Sequence, residues 1–236
     1  MSLTPGNIHI SSDYEKELDG LRSMLLDMGG KAEFMAAKSI QGLVENDPRI
    51  SQGAIDREEE VDRLEENVNE ICIRMLALRQ PTAGDLRFIT TGMKIASDLE
   101  RVADLSVNIS ERALELLKES PLKPYVELPR MAALCRKMLK NSLDSFLSED
   151  TAMAREVIRN DDEVDDINEG LFRELLTYMM EDPRTIGRAT RLTFISKYLE
   201  RMADHATNIA EAVIFMVEGS HPSKKSQKSD QGQGNS

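Results

Sequence analysis

The sequence predicts an all-α protein built as two tandem, pseudo-symmetric, antiparallel three-helix bundles, six long helices in all. Composition is the first sign: only 13 glycines and 8 prolines occur in 236 residues, aromatics are 4% and tryptophan is absent, leaving a chain dominated by helix formers. The second is apolar spacing of three and four residues, as in Val61, Leu64, Val68, Ile71, Met75 and Leu78. The third is duplication. Leu99-Glu100-Arg101-Val102-Ala103-Asp104-Leu105-Ser106-Val107-Asn108-Ile109-Ser110-Glu111 returns one hundred residues later as Leu199-Glu200-Arg201-Met202-Ala203-Asp204-His205-Ala206-Thr207-Asn208-Ile209-Ala210-Glu211, with eight of thirteen positions identical.

Breakers and caps set the elements in order. The first helix begins near Ser12-Asp13 and stops at Asn46-Asp47-Pro48. A second carries the periodic run just named and ends at Gln80-Pro81. Thr82 or Asp85 starts a third that runs to about Glu119. Pro121, Pro124 and Pro129 crowd the next connection, which places a boundary between a first unit over 10–120 and a second over 129–219. The second unit repeats the plan, breaking near Ser148-Glu149-Asp150 and at Asp182-Pro183 and stopping at Gly219. Glu60-Val61-Asp62 returns as Glu163-Val164-Asp165 at a shift of 103, so the shift changes to 100 in the loop before each third helix. Residues 220–236 lack apolar side chains after Ser220 and are expected to be a disordered tail. Helices of about 30 residues, each about 45 Å long, imply elongated bundles.

At 40% hydrophobic and 31% charged the chain can bury a real core. The net charge of -12, from 42 acids and 30 bases, argues against nucleic acid or an acidic lipid surface as ligand and favours cations or basic partners. Cys72 and Cys135 lack zinc or redox spacing and read as buried thiols of a reducing compartment. Met1 to His9 has no leader character and no run of eighteen apolar residues occurs, so the expected place is the cytoplasm with no transmembrane segment.

The duplicated window carries chemistry. Glu100 falls inside the apolar band of the third helix, formed by Ile89, Met93, Ala96, Ala103, Val107 and Leu114, with Asp104 at its edge and Arg101 and Asp98 projecting outward. Glu200 and Asp204 repeat this on the sixth. Glu58 with Asp62, and Asp161 with Asp165, have the same four-residue spacing on the second and fifth helices. If these helices are neighbours, four carboxylates meet at each seam and must raise their pKa values, recruit arginines or bind a cation. Oxygen ligands favour divalent or trivalent ions such as Fe, Mn, Mg or Ca, with Zn also admissible. The competing reading is structural: Arg101 and Arg201 neutralise Asp104 and Asp204 within their own helices.

Asn108 and Asn208 are weaker candidates for outer-shell donors, and His205 reads as a surface or interface histidine, its place in the first copy being Leu105. No nucleophile with its base, phosphate-cradling glycine loop or recognition helix is visible, so no enzyme is expected. A carboxylate-bridged di-metal oxidase needs Glu-x-x-His on helices, and the one such spacing, Glu218 to His221, straddles Gly219 ahead of Pro222. A metal-free helical scaffold with an acidic docking face is the other alternative.

The run Leu-Glu-Arg-x-x-Asp-x-x-x-Asn-Ile, present twice, resembles the PhoU family of phosphate-uptake regulators, as does the link Arg79-Gln80-Pro81-Thr82-Ala83-Gly84-Asp85-Leu86-Arg87. The resemblance covers about Tyr14 to Glu218. It implies a cytoplasmic homodimer that restrains phosphate uptake and the phosphate-starvation response by contacting the phosphate ABC transporter and a sensor histidine kinase. It also implies metal clusters on E/D-x-x-x-D motifs, here Glu100, Asp104, Glu200 and Asp204, with Glu58, Asp62, Asp161 and Asp165 as partners. The chain departs from the family in having Val102-Ala103 and Met202-Ala203 where Ile-Gly is frequent, and in lacking the Gln-Pro-x-Ala link in its second copy.

Overall fold

The computed structural model describes residues 5–220; the expected tail beyond Ser220 lies outside the described residues. The helices are α1 Pro5–Glu45, α2 Pro48–Ile55, α3 Glu58–Leu78, α4 Ala83–Leu116, α5 Glu127–Ser148, α6 Thr151–Glu181 and α7 Ile186–Glu218, with a 3-10 turn at Pro183–Thr185. No strand occurs among the described residues. Among the described residues the first helix already runs from Pro5, seven residues before the expected start near Ser12. Pro129, expected within the interbundle connection, sits in the first turn of α5, where a missing N–H costs little.

The corner after the first helix of each half is built the same way twice. Asn46 and Glu149 adopt left-handed backbone, with φ of 55° and 53°, and end α1 and α5. The next residue caps the following helix: Asp47 accepts from the Arg49 N–H, and Asp150 from those of Ala152 and Met153. Thr82 and Asp85 form a reciprocal capping box at the start of α4.

One element differs between the halves. Residues 151–181 form a single helix, whereas the matching stretch of the first half is divided into α2 and α3. The chain tightens at the break through three-residue hydrogen bonds, Arg57 N–H to Ala54 at 3.3 Å and Glu60 N–H to Arg57 at 3.1 Å. Just before the break, α2 lies unusually close to α1. A Cβ added at Gly42 would stand 2.2 Å from Ser51 Oγ and 2.8 Å from the Ser51 backbone nitrogen. The absent side chain admits α2 to this close approach. The corresponding residues of the second half are Ser145 and Ala154.

α4 and α7 run antiparallel through the centre. Arg87 Nε donates to the Met216 carbonyl at 2.9 Å near one end of the pair, and Arg191 Nε to Glu115 Oε2 at 2.7 Å near the other. α1 and α5 pack on this pair and on each other, α3 flanks α4, and α6 flanks α7. The buried apolar residues, from Leu21 on α1 to Met216 on α7, form one continuous core. The two units therefore stand broadside, because α4 and α7 are apolar toward each other as well as toward their own bundles. Val102, Ile109, Met202 and Ile209 are all buried, and covering each such side chain contributes about 1.5–3 kcal/mol.

Both cysteines are buried and free. Burial pushes the Cys72 thiol up to about 11; burial, and then the charge of Asp161, push that of Cys135 up to about 12. Both are inert thiols at neutral pH.

Two alanine substitutions test the packing account. Gly42→Ala is expected to destabilise the protein by about 1–3 kcal/mol, since backbone as well as side chain must yield. Gly30→Ala, in an exposed helix interior with nothing within 4 Å of the new methyl, should stabilise it by about 0.5–1 kcal/mol. Urea unfolding of the two variants beside the parent measures both signs.

Candidate metal centre

The eight carboxylates form two quartets along two helix seams. Glu58 and Asp62 on α3 face Glu100 and Asp104 on α4; Asp161 and Asp165 on α6 face Glu200 and Asp204 on α7. Their mutual repulsion records the proximity. The Glu58 carboxyl is raised by burial and then by Asp62 and Asp104, and that of Asp62 by burial and then by Asp104. Glu100 is pushed up to about 7, first by burial and then by Asp104, with Arg101 opposing. Asp161 is pushed up to about 7 by burial, Asp165 and Asp204. Asp165 is raised by burial and Glu200, and Asp204 by burial, Glu200 and Asp165.

Basic side chains answer this charge differently in the two halves. Arg101 straddles its seam, with Nη1 2.9 Å from Asp104 Oδ2 and Nε 3.3 Å from Glu100 Oε2. The expected equivalent at Arg201 is not formed, and Arg201 makes no ion pair among the described residues. Lys197 instead takes Glu200 Oε1, leaving Glu200 Oε2 buried without a hydrogen-bond partner. Lysine three residues earlier on the same helix reaches the acid that the arginine, one step round the helix, does not.

An all-oxygen donor set suits a hard cation, and the orphaned Glu200 Oε2 is a lone pair in want of one. The geometry is less prepared than the chemistry. Among the described residues, no group of three or more His, Cys, Asp or Glu side chains converges to hold a metal ion. Convergence requires the carboxylates to turn toward one another and Arg101 and Lys197 to give way.

Asp98 lies elsewhere than the expected outward position. It is 8% exposed, buried between α4 and α7. Its Oδ1 stands 2.9 Å from His205 Nδ1 and 3.5 Å from Asn208 Nδ2, while Oδ2 is buried without a partner. The apolar stripe of α4 alone could not show this, because the covering surface belongs to a helix one hundred residues away. One signal was present in the repeat: the positions equivalent to Asp98 and His205 are Tyr198 and Leu105, so an acid and an imidazole stand where the other copy has a phenol and an aliphatic side chain. Asn108 donates to the backbone carbonyl of Asp104 at 2.8 Å, not to its carboxylate.

The raised carboxyls predict an unusual pH dependence. In the folded chain Glu100 and Asp161 hold their protons to about pH 7, whereas in the unfolded chain they lose them near pH 4. Between these limits the folded state binds more protons, so this contribution to stability falls as pH rises and is fully lost above the folded value. In chelator-treated protein, Glu100→Gln and Asp161→Asn should each raise the melting midpoint at about pH 8 by a few degrees and do far less near pH 4. A thermal series across that range checks it, and equal effects at both ends contradict it.

Comparison with known proteins agrees with the duplicated helices. The family model described as the PhoU domain matches residues 25–113 and again 128–213. The chain is 41% identical over 223 residues, 94% of each chain, to the phosphate-specific transport system accessory protein PhoU homolog of Rhizobium meliloti (strain 1021). It is 43% identical over 204 residues to the protein of the same description from Aquifex aeolicus (strain VF5), covering 86% of this chain and 92% of that one. Its fold matches the crystal structure of PhoU from Pseudomonas aeruginosa with a TM-score of 0.85 and 38% identity over 88% of this chain and 100% of the other. The phosphate transport system regulatory protein PhoU from Streptococcus pneumoniae gives a TM-score of 0.82 and 27% identity over 89% and 99%. With both halves matched and the relatives spanned nearly end to end, the chain belongs to the PhoU family.

Proposed function

We propose that this chain is a negative regulator of phosphate uptake and of phosphate-starvation signalling. It acts in the cytoplasm, as a homodimer, by contact with the phosphate ABC transporter and a sensor histidine kinase, and it is not an enzyme. The observation that carries this reading is that both halves match one family whose curated relatives are described as phosphate-specific transport accessory proteins. No described helix is long and apolar enough to cross a membrane, so the transporter would be met through its soluble surfaces.

The same proposal assigns the carboxylate quartets to metal ions. Glu58, Asp62, Glu100 and Asp104 would hold one site, and Asp161, Asp165, Glu200 and Asp204 the other. A bound cation supplies there the positive charge that four crowded carboxylates otherwise lack. This chain's part is to keep the donors crowded and half-dehydrated, which is what raises the pKa values of Glu100 and Asp161. The second reading, a metal-free scaffold with an acidic docking face, is favoured by the Arg101 bridge and by the absence of any converged group of three ligands among the described residues.

Two experiments separate these readings. Melting of the chelator-treated chain with each of manganese, ferrous iron, magnesium, calcium and zinc is expected to rise with at least one ion. Saturation at about a hundredfold over Kd corresponds to about 2.7 kcal/mol. The variant Asp161→Asn with Asp165→Asn should lose its share of the shift, and no shift with any ion selects the scaffold. In the host, deleting the gene should increase phosphate uptake in phosphate-replete medium, and restoring the chain should reverse it. Unchanged uptake rejects the regulatory reading.

A further inference from the structure

We infer that the two carboxylate seams are unequal cation sites, the α6/α7 seam filling first and the α3/α4 seam held back by Arg101. This rests on the metal reading proposed above and adds to it an order of filling. Neither seam has three converged ligands among the described residues, so each must rearrange around an ion. What stands in the way differs.

At the α3/α4 seam the Arg101 guanidinium lies against both acids of α4, 2.9 Å from Asp104 Oδ2 and 3.3 Å from Glu100 Oε2. A cation spanning this seam must displace Arg101 or share both α4 carboxylates with it. At the α6/α7 seam Lys197 pairs with Glu200 Oε1 alone. Asp161 and Asp165 on α6 and Asp204 on α7 make no ion pair among the described residues, and Glu200 Oε2 is buried without a hydrogen-bond partner. Donors outside any ion pair thus come from both helices, and an ion can join them while Lys197 keeps its contact. The Lys197 charge still acts on Asp165 and Asp204, as that of Arg101 acts on Glu100. Each seam therefore carries one basic group, and placement makes the difference.

That placement is written in the chain. Ser97 stands where the second half has Lys197. Three residues before the glutamate, lysine reaches it from the preceding turn, and serine is too short to do so. The first glutamate is left to arginine, whose planar fork of donors bridges two carboxylates where an ammonium takes one.

The test titrates the chelator-treated full chain with manganous ion, a hard cation suited to carboxylate oxygen, and counts free ion by its EPR signal. Two classes of site are expected. Asp161→Asn with Asp165→Asn should remove the tighter class, and Glu58→Gln with Asp62→Asn the weaker. Arg101→Gln should tighten the weaker class about tenfold or more and leave the tighter one unchanged. Arg201→Gln, which removes the same charge from a side chain outside any ion pair, should change neither. Circular dichroism of each metal-free variant checks that it is folded. Two classes of equal affinity, a tighter class that survives Asp161→Asn with Asp165→Asn, no tightening by Arg101→Gln, or an equal effect of Arg201→Gln each overturns the order of filling and leaves the metal reading standing. No bound manganese also overturns it, and no melting shift with any of the five ions overturns the metal reading as well.

Discussion

Because α4 and α7 lie antiparallel and bury apolar side chains toward each other as well as toward α1 and α5, two three-helix units that could have stood apart share one core. This contact decides what remains exposed. With the inner flanks of α4 and α7 committed to each other, the outer flanks are left to α3 and α6, and the carboxylates land on those outer seams. The same packing takes Asp98 out of water and sets it against His205. Removing one partner of such a buried pair strands the other without solvent, which makes the junction between halves sensitive to single charges.

The carboxylate seams run against ordinary folding preference. A helix gains little from a glutamate in its apolar band, and each quartet adds repulsion that burial strengthens. Protonation relieves it, as the raised values of Glu100 and Asp161 record. Basic neighbours relieve it in part, Arg101 on one side and Lys197 on the other. A bound cation, proposed above for these quartets, would supply the rest of the compensating charge.

The halves are alike in plan and unlike in detail, and the differences are local in origin. Gly42 lets Ser51 of α2 come close to α1, and the helix that stays whole as α6 is here divided into α2 and α3. His205, standing where the first half has Leu105, meets Asp98 across the α4–α7 contact. Phe172, Leu176 and Met180 are exposed on α6 where α3 carries Asn69, Ile73 and Ala77. Duplication supplied the scaffold, and single side chains then gave the two copies different exposures.

Helix type, the repeat and the four-residue spacing of each carboxylate pair were legible in the sequence, since each depends on spacing along one helix: Glu100 with Asp104, and Glu58 with Asp62, share a face whatever surrounds them. The break between α2 and α3, the burial of Asp98 and the failure of Arg201 to follow Arg101 were not legible. Each depends on how close another helix comes, or on which of two nearby bases reaches an acid first, and a single helix's periodicity contains neither distance. Local order is set by neighbours in the chain and so is written in it. Burial and charge pairing are set by neighbours in space, and only the antiparallel docking of α4 on α7 decided who those would be.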